Sequence, residues 1–400
     1  TAEDVTDIVH PANIAMAERI SKIIDLDICG IDIMTTDITK PLSETGGAVL
    51  EVNAGPGFRM HLAPTSGLPR NVAAPVIDKL FPKGDSGRIP IVAISGTNGK
   101  TTTTRLIAHM AKMSGNRVGY TTSDGVYIQN RLLMTGDCTG PASAEFVLRD
   151  PTVNFAVLES ARGGLLRAGL GFKNCDIGIV TNVAADHLGL KGIHTIEQLA
   201  KVKGVVPETV LPDGYAILNA DDDLVYGMRR SLDCNVALFS MDENNPRIKA
   251  LQRIGGITAV YENGYVTICR GEWKMRIMKA ELIPLTYGGK AKFMIQNVLP
   301  AVLAANIQGF SIEDMKAALE TFIPSATQTP GRLNMFEFEN FTVLLDYAHN
   351  PAGMRALQKF TDELECSVKV GIIIGSVISG VVGYTILRLT SKSGNSNTDM

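Results

Sequence analysis

The sequence predicts an α/β protein whose main body is a mostly parallel sheet with helices on both faces, preceded by a short piece of a second fold. Three observations predict it. From Arg88 onward, apolar strand patterns alternate with helical ones, as a parallel sheet with crossover helices requires. An apolar strand at 89–94 runs through a Gly-rich loop directly into a helical pattern. Three further apolar strands each end in a polar cluster, and in an open parallel sheet the strands' carboxyl ends border the ligand crevice.

The elements follow in order. Residues 1–61 read as a helix around 14–24 and strands at 28–34 and 48–52. Residues 65–88 are rich in Pro and Gly, with one amphipathic piece at 76–81, and read as a linker. The central domain is expected over 89–325. There SATQTPG interrupts the helical pattern, and a further domain begins over 326–375. Residues 376–400 do not continue it: an uncharged run at 370–387 is followed by a polar Ser/Asn/Lys tail. That run reaches the lower limit of a membrane span. The competing reading, a core strand followed by sequence foreign to the domain, is preferred. With no Met at position 1 and both ends atypical, the chain reads as a segment of something longer.

Composition narrows the function. Of 400 residues, 45% are apolar and 20% charged, enough to bury a core and too apolar for a disordered chain. A formal net charge of -3 supplies no basic excess for bulk nucleic-acid binding. The six cysteines lie far apart without a CxxC pair. That argues against a disulfide scaffold or structural zinc site and for a reducing, cytoplasmic setting.

The chemistry is concentrated in 95–102, Ser-Gly-Thr-Asn-Gly-Lys-Thr-Thr. Between a strand and a helix N-terminus, backbone N–H groups of Gly96, Thr97, Asn98, Gly99 and Thr102 would cradle an anion. Lys100 would reach the terminal phosphates of a bound nucleotide, and Thr101 would ligate Mg²⁺. One departure is that Ile94 stands where the common GxxxxGK[ST] pattern has its first Gly. The strand at 154–158 ends in Glu159, a carboxylate suited to holding Mg²⁺ against phosphates; taken alone, it reads equally as a helix-capping acid. The strand at 176–180 ends in a cluster running from Thr181 through Asn182 to Asp186 and His187, and that at 215–218 in Asn219, Asp221 and Asp222. His187 is a candidate second metal ligand, although a lone His is more often structural.

These residues, in this order, resemble the Mur-ligase superfamily, which joins amino acids to carboxylates using ATP. Its short P-loop, GT[NK]GKT, matches 96–101, so the missing first Gly is expected. Glu159 and the later N-x-x-x-D-H at 182–187 match as well, as do Pro330-Gly331-Arg332 and Asp346-Tyr347-Ala348-His349-Asn350-Pro351. The resemblance implies that Arg332 and Asp346 approach the nucleotide, that Asn297, in Gln296-Asn297 at an expected helix start where an Asn is more often simply a cap, lies on its adenine side, and that a lysine is carbamylated. Lys201 and Lys203 are the candidates, with Lys203 preferred on spacing. Independently, Glu51-Val52-Asn53-Ala54-Gly55-Pro56-Gly57 resembles the ATP-grasp signature ExNxxPG. With Asp32 on the neighbouring strand, it implies Mg²⁺ ligation by Asp32, Glu51 and Asn53. An ATP-grasp end ahead of a Mur-ligase core resembles the fused ligases that build a multi-Asp-Arg polymer. The partners implied are arginine, aspartate and an Asp-Arg primer, in a homo-oligomer. The third domain is incomplete, as is the ATP-grasp unit, whose nucleotide-gripping lysines are missing. Alternatives are another Mur-type ligase or a non-catalytic nucleotide-binding remnant. A P-loop kinase would want a strand-end Asp and an Arg-rich lid in place of Glu159.

Overall fold

The computed structural model describes residues 1–186, 188–339 and 341–364. His187, Cys366, the 376–400 segment and the apolar run at 370–387 lie outside the described residues. Among those described, no helix is long and apolar enough to cross a membrane.

The chain divides into two compact units, Thr1–Arg88 and Ile89–Met400. In the first, helix α1 (Pro11–Ile24) precedes an antiparallel pair, β1 (Gly30–Met34) and β2 (Ala48–Asn53), with the short α2 (Leu42–Thr45) between them. The segment read as a linker is more ordered than its composition suggests. After α3 (Arg59–Leu62), Thr65 and Ser66 hydrogen-bond Ala2 and Asp4 near the first residue, and Arg70 bridges Asp4 and Asp7. Helix α4 (Ala73–Leu80) then places Lys79 beside Asp27. Gly and Pro supply the turns here, but charge pairs tie the segment to the unit.

The second unit is built on one 11-stranded sheet. Its strands are β3 (Ile91–Ser95), β4 (Val118–Thr122), β5 (Gly125–Ile128), β6 (Arg131–Thr135), β7 (Phe155–Glu159), β8 (Cys175–Val180), β9 (Val210–Asn219), β10 (Asn235–Ser240), β11 (Ile257–Glu262), β12 (Tyr265–Arg270) and β13 (Trp273–Lys279). The order is β13-β12-β11-β10-β9-β8-β3-β7-β4-β5-β6. From β11 to β4 every pairing is parallel; the hairpins at either end are antiparallel. Helix α5 (Lys100–Met113) follows β3; α6 (Pro141–Leu148), α7 (Arg162–Ala168), α8 (Ile196–Glu208), α9 (Asp223–Gly227), α10 (Pro246–Arg253), α11 (Lys292–Ile307) and α12 (Ile312–Thr321) follow in turn.

Strand alternation divides the core. Val92 and Ile94 pack with Leu106, Ile107 and Met110 of α5 and Val298, Leu299 and Val302 of α11, while Ile91 and Ala93 pack with Val147 and Val206 on the opposite face. This explains Ile94: it is fully buried and its register partners are Glu159 on β7 and Ile179 on β8. The position is strand core here, not loop. Ile94→Ala is therefore expected to destabilise the unit by about 2–4 kcal/mol, read as a lower denaturant midpoint with unchanged slope.

Strand β3 sits between β7 and β8, and the chain leaves it for β4 on one side but reaches β8 on the other. That reversal opens a crevice beyond the carboxyl ends of β3, β7 and β8. A further pair, β14 (Asn334–Glu337) and β15 (Thr342–Leu345), leads to α13 (Pro351–Glu363), which Asn350 caps by accepting from the Gly353 N–H at 2.9 Å.

Candidate functional site

The loop between β3 and α5 is shaped by two glycines and sewn to the end of β8. Gly96 and Gly99 have φ of +143° and +86°. A Cβ on Gly96 would fall 1.9 Å from Thr181 Oγ1, and one on Gly99 2.1 Å from Asn297 Oδ1, so nothing larger fits. Thr97 N donates to Asn182 O at 2.8 Å and Asn98 N to Asn182 Oδ1 at 2.9 Å. Asn182 Nδ2 and Thr181 Oγ1 both donate to Asn98 O, at 3.0 and 2.7 Å. Asp222 caps α9 and accepts from Val183 N at 2.7 Å, steadying the same segment from β9. Asn219 reaches Thr181 O at 2.8 Å. Thus Thr181 and Asn182 shape the loop.

Beside the loop, Glu159 at the tip of β7 is 3% exposed. Its Oε2 accepts from Thr101 Oγ1 at 2.9 Å and Ser123 N at 3.2 Å. Burial pushes its carboxyl pKa up, opposed by the Lys100 charge and these hydrogen bonds. Lys100, the first residue of α5, folds back to donate from Nζ to Thr97 O at 2.9 Å. Desolvation lowers its pKa and Glu159 opposes the shift. Arg332 arrives from the far end of the chain: its Nη2 lies 3.1 Å from Ser123 Oγ and 3.5 Å from Thr101 Oγ1, and its guanidinium covers the Tyr347 ring. Asp346 accepts from Leu333 N at 2.9 Å, and burial raises its pKa.

The two lysines of α8 part company. Lys201 is exposed, whereas Lys203 is 4% exposed and donates from Nζ to Gly96 O at 2.7 Å. Desolvation, then the nearby Lys100 charge, holds its pKa well below the usual lysine value. Asn297 is not a helix cap: α11 is capped at Ala291 and Asn297 is buried within the helix, facing Gly99. A cleft of about 650 Å³ joins these groups, lined among others by Lys100, Glu159, Lys203, Asn297, Arg332 and Asp346. His187 lies outside the described residues; its neighbour Asp186 lines the cleft. Asn98 and Asn350 exchange side-chain amide hydrogen bonds at 3.2 and 2.9 Å, joining the loop to the cap of α13.

Elsewhere, in the first unit, Asp32 and Glu51 are direct cross-strand partners, and Asn53 lies two residues along on the same face, donating from Nδ2 to Glu51 Oε1 at 3.1 Å. All three are exposed. Among the described residues no group of three or more His, Cys, Asp or Glu side chains is gathered as a metal would need. Ser123 escaped the sequence reading: within Thr-Thr-Ser-Asp-Gly it looks like a solvated hairpin turn, and only the pairing of β4 with β7 brings it to Glu159.

The Mur ligase middle domain family matches residues 94–305, the span that carries the loop, Glu159, Lys203 and Asn297. The chain belongs to the Mur ligase family. Other Mur ligases share its fold. A UDP-N-acetylmuramoyl-L-alanyl-D-glutamate--2,6-diaminopimelate ligase structure aligns with a TM-score of 0.52 at 21% identity, covering 71% of this chain and 55% of that one. MurF from Acinetobacter baumannii gives 0.51 at 18% identity, covering 70% and 55%. In sequence, the chain is 58% identical to cyanophycin synthetase from Synechocystis sp. over 90% of its own length and 41% of that protein's. It is 57% identical to cyanophycin synthetase from Geminocystis herdmanii over 94% of its length and 43% of that protein's. The chain therefore spans less than half the length of these relatives.

Proposed function

We propose that this Mur-type unit is an ATP-dependent amide-bond ligase of the cyanophycin synthetase type, adding arginine to an aspartate side-chain carboxylate of an Asp-Arg polymer. The first unit would belong to the ATP-grasp part that adds aspartate through its backbone carboxylate. The observation that carries the chemistry is Glu159, a buried carboxylate hydrogen-bonded to the hydroxyl of Thr101 in the first turn of α5, beside Lys100. The choice of substrates rests on the likeness to cyanophycin synthetases.

The residues present fit Mg²⁺ and ATP. The cradle excludes a Cβ at Gly96 and Gly99, the family's nucleotide-facing Asn297 borders it, and Glu159 with Thr101 supplies hard oxygen donors. His187 is assigned beside them as a second metal ligand. In the first unit, Asp32, Glu51 and Asn53 are assigned to the metal of the ATP-grasp part. When bound, Mg·ATP would supply the γ-phosphoryl group that converts the poorly electrophilic carboxylate into an acyl phosphate, with ADP as the leaving group; the incoming amine would then displace phosphate and lose a proton. The chain's residues position and neutralise. The loop N–H groups hold the phosphates, Lys100 and Arg332 offset developing negative charge, and Asp346 holds the Arg332 segment through Leu333 N. Lys203, whose depressed pKa leaves more of its amine neutral, is suited to react with CO₂: Nζ–H₂ and CO₂ give the carbamate and one proton. That places a carboxylate beside the loop.

The test is amino-acid-dependent phosphate release by a polypeptide of the relatives' full length carrying this chain, with ATP, Mg²⁺ and an Asp-Arg primer. Release stimulated by arginine and not by diaminopimelate or glutamate is expected. Stimulation by another amino acid alone would make this a different Mur-type ligase. Nucleotide binding without turnover on any of them would make it a non-catalytic remnant.

A further inference from the structure

A charged cluster behind the cleft is unexplained by the machinery above. Arg105, on α5 about 1.4 turns past Lys100, is 4% exposed. Its Nη2 pairs with Asp124 Oδ2 and donates to Tyr127 OH at 2.8 Å, and Tyr127 OH donates to the same Asp124 oxygen at 2.5 Å. The other Asp124 oxygen accepts from Thr122 Oγ1 at 2.9 Å. The guanidinium lies over the Tyr127 ring, which stacks on Tyr120 with centroids 4.7 Å apart. From the opposite side, Arg105 Nη1 reaches Gln328 O at 3.5 Å, four residues before Arg332.

Burying a guanidinium is costly, and apolar replacements of buried ion pairs often leave a protein as stable or more so. Here Arg105 Nε has no hydrogen-bond partner among the described residues, so the cluster is a poor device for stability alone. Its placement suggests another task. Asp124 adjoins Ser123, whose N–H donates to Glu159 and whose Oγ contacts Thr101 and Arg332. One guanidinium therefore grips both the turn that presents Ser123 and the segment that leads to Arg332.

We propose that Arg105, Asp124 and Tyr127 are positioning residues: they hold the Thr122–Asp124 turn so that Ser123 sets the Glu159 carboxylate. They thereby determine how much Mg²⁺ strengthens nucleotide binding. The proposal rests on the reading that the cleft takes Mg·ATP. None of the three lines the cleft, so their loss acts through Ser123 and leaves the glycine cradle intact.

The test is calorimetric titration of ATP into this chain, once with Mg²⁺ and once with EDTA, for the parent, Asp124→Asn, Arg105→Lys and Tyr127→Phe. The parent is expected to bind ATP more tightly with Mg²⁺. Asp124→Asn and Arg105→Lys are expected to cut that Mg²⁺-dependent gain about tenfold, with metal-free affinity unchanged, and Tyr127→Phe to cut it less. A purely structural cluster would lower the melting temperature and leave the ratio alone. An unaltered ratio in folded Asp124→Asn and Tyr127→Phe overturns the proposal even if Arg105→Lys does not fold. A parent that binds no ATP under either condition overturns the nucleotide reading itself, and this proposal with it.

Discussion

Lys100→Ala is expected to lower ATP turnover by about 10²–10³-fold with the fold retained. The side chain opens α5 and bends back to within 2.9 Å of Thr97 O, so its charge sits over the loop and not in solvent. Burial works against that charge and Glu159 supports it. Removing it has a second consequence at Glu159, whose pKa is already raised by burial and is held down first of all by Lys100. Without Lys100 the carboxyl climbs further, so the variant should need a higher pH to bind Mg²⁺ than the parent does. Phosphate release against pH, with circular dichroism melting as the control for folding, measures both effects. A parent-like rate would remove Lys100 from the machinery, and a parent-like pH profile would break its link to Glu159.

Lys203→Met is expected to separate stability from activity, lowering turnover about 10- to 100-fold while changing unfolding free energy by no more than about 1 kcal/mol. Methionine keeps the length of the buried stem. It removes a desolvated ammonium, which is a gain, and leaves Gly96 O without its 2.7 Å donor, which is a loss. The sign with pH follows from linkage. The folded-state pKa of Lys203 is depressed, so the unfolded chain binds more protons between that value and the ordinary 10.5. Stability contributed by this site therefore rises with pH across that window and is lowest below it. In Lys203→Met that slope disappears. Urea unfolding at several pH values without bicarbonate reads the slope, and carbon-13 NMR with labelled bicarbonate reads the carbamate. No carbamate signal in the parent, with turnover intact in Lys203→Met, would reduce Lys203 to a buried structural lysine.

The parts of the site that were legible in the sequence are those whose signal is local. Strand, Gly-rich loop and helix are contiguous from Ile91 to Met113, and hydrogen-bond geometry within that stretch leaves little freedom. Glu159 was visible because an apolar strand ends on it. Lys203 could be preferred to Lys201 on spacing, but only packing shows that α8 buries one and exposes the other. Asn297 was expected at a helix start and lies inside α11, because the helix begins earlier, at Lys292, than its polar residues suggest. The 65–88 segment was expected to be a linker, since its Pro and Gly content hides the pairing of Arg70 with Asp4 and Asp7.

By itself, then, the sequence determined the α/β class, the strand-loop-helix cradle and the acid at the tip of β7. Each of these depends on interactions within a few residues of chain. Only the tertiary structure decided that β3 lies between β7 and β8, that Thr181 and Asn182 shape the loop, and that Ser123 and Arg332 meet at Thr101. Those contacts join residues as far apart as Thr101 and Arg332. They follow from strand order and from which face of each strand and helix is buried, and these are fixed by the packing of the whole sheet, not by any local stretch of chain.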